Sequence, residues 1–218
     1  VRIDRFGKIQ FEGYTSANSS SILTSVSAVN DLAVHHVAVV RSGSSLLIYI
    51  DGVLDASGSH ASGIYANSAP LQLGASACTS AGFAQYFPGV LDNVRTWNLA
   101  RSAADINTFK DNAIVGNPNG LLVSLDFEEG VAGGNNTSLT QVINSVAGGN
   151  NGTLNNFAKT GNTSNWIYGL QPPPPPPARS TYTCTDTELT TTPTITNYIS
   201  GYFFDIDATN NIEVNAIS

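Results

Sequence analysis

The sequence is short of charge. Asp, Glu, Lys and Arg together make 11% of its 218 residues, where a soluble domain usually carries about a quarter. Lys and Arg number only nine, and the net charge is −7. Phosphate binding needs a basic footprint, so no nucleic-acid partner is expected. Methionine is absent, and no leader-like segment opens the chain, which reads as a processed or excised piece of something longer. Long apolar runs are missing too. None approaches the ~20 residues of a membrane-spanning helix, so no membrane insertion is expected. Cysteine is scarce. Cys78 and Cys184 are the only two, and neither sits in a CxxC, which excludes a thiolate zinc site. They either bridge in an oxidising compartment or stay as two thiols; spacing alone leaves both open.

What is present suits short strands and tight turns. Hydrophobic residues make 41% of the chain, enough for a packed core in one generous β-sandwich plus an appendage. Ser, Thr, Asn and Gly carry the polar share. Ile3, Phe6, Ile9 and Phe11 lie around a turn at Gly7. His35–Arg41 and Leu46–Ile50 are strand-like, with Leu46, Ile48 and Ile50 on one face and Leu47 and Tyr49 on the other. Asp51 and Gly52 mark a hairpin. Leu71–Gly74, Gly89–Trp97 and 121–128 are further strands. One short helix is predicted from Ser102 to about Lys110. Ser102 is its N-cap, Asp105 sits in its first turn, and Ile106 and Phe109 share a face. A Gly/Asn-rich stretch runs from Glu129 to Asn165. Six prolines, Pro172–Pro177, then form a stiff polyproline II spacer of roughly 19 Å. Beyond them, Tyr198–Ile206 and Ile212–Ile217 read as two strands, too few for an independent domain. The expected division is a sandwich over 1–170, a linker over 171–180 and a partial second β-module over 181–218.

The pieces His35–Val40, Leu47–Val53, Leu71–Gly74 and Phe87–Asn98, in that order and spacing, carry a resemblance. The run Ala33–Leu99 resembles the laminin-G-like domains of the concanavalin-A-like lectin/glucanase superfamily. This implies an all-β, antiparallel jelly-roll or β-sandwich fold with one short helix. Two departures stand out: Val34 occupies the place where the family usually has Trp, and the family's first strands would precede Val1. Leu125–Gly130, Gly149–Phe157 and Thr163–Trp166 look like an element that often follows such domains in large surface proteins of Bacteroidota. Gly201–Ile212 is similar to β-repeats of the same kind of protein. Together they imply a large, repetitive, exported cell-surface adhesin of the gliding-motility type, using a type IX export route. The expected role is a non-catalytic extracellular adhesion module that self-associates with identical chains or neighbouring repeats. The alternative is a lectin module with a discrete glycan site.

Catalysis is not expected. A retaining glycosidase needs two carboxylates about 5–5.5 Å apart, two residues apart on one strand face. Glu128 and Glu129 are adjacent and point to opposite faces, and the superfamily's Glu-x-Asp-x-x-Glu pattern is absent. Asp205 and Asp207 share a face but lie in the tail, without an aromatic cleft. His35 and His36 fall on a strand, one facing in and one out, as structural histidines. The resemblance implies a calcium ion at one rim, for which Asp51, Asp92 and Asn93 are the expected ligands, with Asp55 nearby. The competing assignment gives Asp51 to its turn, and has Asp92 either pair with Arg95 or cap backbone amides. Tyr65 and Tyr86 are the expected carbohydrate platforms, because they lie in loops; Trp97 is expected in the core. Asn18, Asn136, Asn151 and Asn162 stand in N-glycosylation sequons.

Overall fold

The computed structural model describes the chain except for residues 17–18, 61–69, 77–84, 88, 162–163, 168–201, 205–211 and 216–218. Arg2–Ile3 (β1), Lys8–Ser16 (β2) and Ser19–Ala28 (β3) form an antiparallel three-stranded sheet. Gly7, between β1 and β2, has φ +77°, and a Cβ there would lie 2.1 Å from the Asn30 side chain. Only glycine suits both constraints. Val37–Ser42 (β4), Ser45–Ile50 (β5) and Val53–Ser59 (β6) follow as an antiparallel meander. β5 turns into β6 through Asp51 at φ +53° and Gly52 at φ +81°. Two successive left-handed residues make the hairpin turn that Asp-Gly favours.

The remaining elements are short. They are Leu71–Leu73 (β7), Ala75–Ser76 (β8), Gln85–Tyr86 (β9), Val94–Trp97 (β10), Ala103–Phe109 (α1), Leu121–Leu125 (β11), Gln141–Val142 (β12), Gly152–Asn155 (β13), Tyr202–Phe204 (β14) and Ile212–Asn215 (β15). A six-stranded sheet runs in the order β11-β10-β14-β4-β5-β6, and a four-stranded sheet in the order β12-β13-β15-β7. β8 and β9 pair as a ribbon.

Alternation along the strands decides what covers each face. Val37 and Val39 of β4, with Ile48 and Ile50 of β5, pack against Ile9 and Val29 beside the three-stranded sheet. The intervening Ala38, Val40 and Tyr49 face the opposite way and pack on Ile106 and Phe109 of α1. Nearer the other edge, Val94, Val123 and Leu125 meet Leu73, Val142, Leu154 and Trp166 on the four-stranded sheet's side. The six-stranded sheet is therefore covered on both faces, by the two smaller sheets on one and by the helix on the other. Each fully buried Val or Ile contributes about 1.5–3 kcal/mol through this burial.

The helix forms where the sequence places it. The Ser102 hydroxyl accepts from the Asp105 N–H, and the Asp105 carboxylate accepts from the Ser102 N–H, a complete capping box. The Gly/Asn-rich stretch is more ordered than its composition suggests. It contains β12 and β13 and leads to the buried Trp166. Its asparagines stand in for backbone partners. Asn144 Oδ1 accepts from Ser124 and Val146 N–H at 3.0 and 3.1 Å, while its Nδ2 donates to the Leu122 carbonyl at 3.2 Å.

The two strands beyond the prolines, assigned by sequence to a partial second module, pair inside the sandwich. β14 lies parallel between β10 and β4, and β15 lies parallel between β13 and β7. The proline linker at 171–180 lies outside the described residues.

Candidate functional rim of the six-stranded sheet

Register brings several expected site residues to one end of the large sheet. β4, β14 and β10 run the same way, with Ala38, Phe203 and Arg95 level. Residues preceding β4 and β10 therefore share an end. The β5–β6 turn joins them there, because the Asp51 N–H donates to the His36 carbonyl at 2.8 Å. Val94 pairs with Leu125, so Asp126 and Glu128 follow at the same end.

His35 and His36, expected on a strand, lie just before β4 instead; His35 is half-buried and His36 buried. His35 lies between two carboxylates, its Nδ1 2.9 Å from Asp51 Oδ2 and its Nε2 2.9 Å from Asp31 Oδ1. Only the imidazolium, with both nitrogens protonated, donates to both. Burial pulls its pKa down, but the bonds to Asp51 and Asp31 outweigh it and the net direction is upward. The Asp31 carboxyl is held below its usual range by the Ala33 N–H and by His35. His36 turns inward at 6% exposure, and burial lowers its pKa to about 4. It lines a small cavity with Ala38, Trp97, Arg101, Asp105, Ile106 and Phe109. Arg101 sits 4.3 Å over the Trp97 ring in the same place, a cation–π contact.

The acidic residues split into two groups. Asp51 is occupied: besides His35, its Oδ1 accepts from the His36 N–H at 2.8 Å. Asp55 accepts from the Val26 and Ser27 N–H groups at 2.6 and 3.1 Å, tying β6 to β3. Asp92 Oδ1 accepts from the Asn93 N–H at 2.9 Å, and Asn93 has φ +50°. Burial raises the Asp92 pKa, and the nearby Glu128 and Asp126 carboxylates push the same way. Asp51 stands beside the start of β4, and Asp92 and Asn93 immediately precede β10, with β14 between those two strands. Among the described residues, no three His, Cys, Asp or Glu side chains converge as metal ligands do.

Arg95 takes a role that sequence did not indicate. It is 3% exposed, and its guanidinium donates to the Phe109 and Asn112 carbonyls at 3.0 and 2.9 Å. It thus satisfies carbonyls at the C-terminal end of α1, where a cation also suits the helix dipole. The hydrogen-bonded partnership suggested between Asp92 and Arg95 gives way to this bond pair. Burial lowers the Arg95 pKa to about 10, which leaves it charged at neutral pH. The strand pattern makes residue 95 face the helix, but only the packed helix supplies its carbonyls.

The remaining predicted residues scatter. Tyr86 is 42% exposed on β9, whereas Tyr49, Trp97 and Trp166 are buried in the core. Tyr65, Cys78, Cys184, Asn18 and Asn162 lie outside the described residues, as do Asp205 and Asp207. Asn136 is buried at 3% exposure. Its Oδ1 accepts from the Val131 N–H at 2.7 Å, and its Nδ2 donates to the Val131 carbonyl and to Ser164 Oγ. In the folded chain it braces a loop instead of facing solvent. Asn151 is partly exposed, and its Oδ1 accepts from the Asn144 N–H at 3.0 Å. Glu129 Oε1 accepts from the Ile143 N–H at 2.5 Å, while Glu128 faces solvent.

No helix among the described residues is long and apolar enough to cross a membrane. No curated protein and no solved structure matches the chain. Residues 1–107 match the laminin G-type family model described as the concanavalin A-like lectin/glucanases superfamily, and the mostly antiparallel sheets, with one short helix among the described residues, are consistent with that superfamily's β-sandwich.

Proposed function

We propose that the chain is a non-catalytic extracellular adhesion module, one repeat of a large cell-surface adhesin or filament of the gliding-motility type. The observation that carries this is the laminin G-type match over 1–107, on a sandwich of a superfamily of adhesion and lectin modules. The placement of polar groups agrees with it. The Glu129 carboxylate is taken up by a backbone N–H, and Trp97 and Trp166 are spent on the core. A calcium ion, if part of this role, belongs on the Asp92–Asn93 side of the rim. There Asp126 and Glu128 add negative charge, while both Asp51 oxygens already have partners.

One observation favours a lectin as the second reading. Tyr86 exposes its ring from a paired strand, so a sugar would meet a stacking face whose backbone is fixed. Purified chain, presented on beads, is expected to bind cells or extracellular matrix and to leave laminarin and similar glucans intact. Clear hits on a glycan array, lost with Tyr86→Ala, would favour the lectin. Glucan hydrolysis by the purified chain would overturn both. A rise in melting temperature with calcium, abolished by EDTA and by Asp92→Asn, would support the cation.

A further inference from the structure

Two Asn-Gly pairs occur in the chain, Asn119-Gly120 and Asn151-Gly152. Such pairs share a latent chemistry. A backbone nitrogen can attack the side-chain amide carbon of the asparagine before it, and glycine, having no Cβ, hinders that approach least. The folded chain treats its two pairs in opposite ways.

Asn151 is held. Its Oδ1 accepts from the Asn144 N–H at 3.0 Å, and its Nδ2 donates to Gln141 Oε1 at 3.4 Å. Gly152 is buried in β13, level with Val142 of β12 and Ile212 of β15. Closing the five-membered ring there requires both the amide and the Gly152 nitrogen to leave these positions. Asn119 has no such restraint. It is exposed, in a turn that the Leu121 N–H closes on the Pro118 carbonyl at 3.1 Å. Among the described residues, no hydrogen bond holds its side-chain amide or the Gly120 N–H. The glycine is itself demanded by the fold. Gly120 has φ +87°, and a Cβ there would lie 2.8 Å from the Leu99 side chain. Both features select glycine, and so fix the partner that makes Asn119 labile.

We propose that Asn119 is a site of spontaneous deamidation, a covalent modification that the fold permits there and suppresses at Asn151. The Gly120 nitrogen gives its proton to hydroxide and bonds to Asn119 Cγ. The Cγ–Nδ2 bond breaks, and Nδ2 takes up a proton and leaves as ammonia. Water then opens the succinimide. Attack at Cγ leaves an aspartate at position 119; attack at the backbone carbonyl leaves an isoaspartate, whose chain continues through the former side chain. Nothing is oxidised or reduced. Either product adds a negative charge. Isoaspartate also lengthens the backbone by one carbon just before β11, where the Asn98 N–H donates to the Gly120 carbonyl at 2.9 Å and Leu121 enters a cluster with Trp97 and Val146. Trp97 pairs with Leu121 and Val94 with Leu125, so this turn lies at the opposite end of β10 from Asp92 and Asn93. The modification is independent of what the chain binds, and loss of cell or glycan binding would leave it standing.

The test uses the full-length chain, aged in mildly alkaline buffer and sampled by peptide-mapping mass spectrometry, with the same chain unfolded in urea as reference. In urea both asparagines are expected to convert at similar rates. In the folded chain Asn119 should still convert, to a mixture of aspartate and isoaspartate. Asn151 must wait for local opening of β12 and β13, and should be slower by about tenfold or more. An acidic charge variant should accumulate on ion exchange in step with Asn119 conversion, and Asn119→Gln should remove it. Similar rates at the two asparagines in the folded chain, or an Asn119 that keeps its amide while the unfolded chain loses it, would overturn the proposal. An acidic variant that persists unchanged in Asn119→Gln places the reaction elsewhere and overturns it as well.

Discussion

His36 makes the most direct test of the packing between sheet and helix. Its ring is 6% exposed and shares a small cavity with Trp97, Arg101, Ile106 and Phe109. Burial is the main cause lowering its pKa from 6.5 to about 4; Arg95 and Lys110 push the same way, against Asp51 and Asp111. Between those two pH values the unfolded chain holds one more proton than the folded chain. The stability tied to the neutral ring is therefore complete above about pH 6.5 and is lost as pH falls toward 4. The gap between 6.5 and about 4 corresponds to roughly 3 kcal/mol. Urea midpoints measured from pH 7.5 to 4.5, for the wild type and for His36→Leu, separate this loss from the carboxylate titrations that both share. The variant is expected to lose most of the histidine's contribution to the acid slope. Direct NMR titration should place the His36 ring near pH 4. Parallel stability profiles in the two proteins, or an imidazole titrating near 6.5, would refute the burial of a neutral His36 ring against α1.

The neighbouring His35 should behave in the opposite sense. Its folded pKa is raised, so its bonds to Asp31 and Asp51 stabilise the fold fully below pH 6.5 and fade as pH rises through the folded value; the stability gap between wild type and His35→Gln should shrink from pH 5.5 to pH 8.5. Arg95→Met removes both donors from the Phe109 and Asn112 carbonyls, with an expected loss of about 3 kcal/mol in chemical denaturation and faster amide exchange in the last turn of α1. Trp166→Ala empties a position packed on Val142, Leu154 and Phe157, costing about 3–5 kcal/mol. It should unfold or loosen the β12–β13 region, read by hydrogen exchange.

Local chemistry alone determined much of this protein. Alternation along Val37–Val40 and Leu46–Ile50 sets two faces, and the structure packs those faces on different partners. Ser102 and Asp105 build the helix start within four residues, and Asp51-Gly52 makes a turn from its own backbone preferences. These features were legible because each depends on neighbours in sequence. The site was less legible. Both histidines lie just before β4, so which of them meets two carboxylates and which is buried depends on Asp31, Asp51 and the helix above. Arg95 likewise stood in the sequence only as one of two alternative partners for Asp92; α1 places two carbonyls within its reach.

The long Gly/Asn-rich stretch and the tail were least legible. Hydrophobic periodicity is weak where asparagine side chains replace strand partners, so β12 and β13 had no pattern to announce them. Composition, turns, strand faces and the capped helix were thus settled within the sequence itself, because their physics is short-ranged. Only the tertiary structure decided that Tyr202–Phe204 and Ile212–Asn215 enter two different sheets. Any strand can meet any free edge through the same backbone hydrogen bonds, and which edges stay free depends on how the whole sandwich closes.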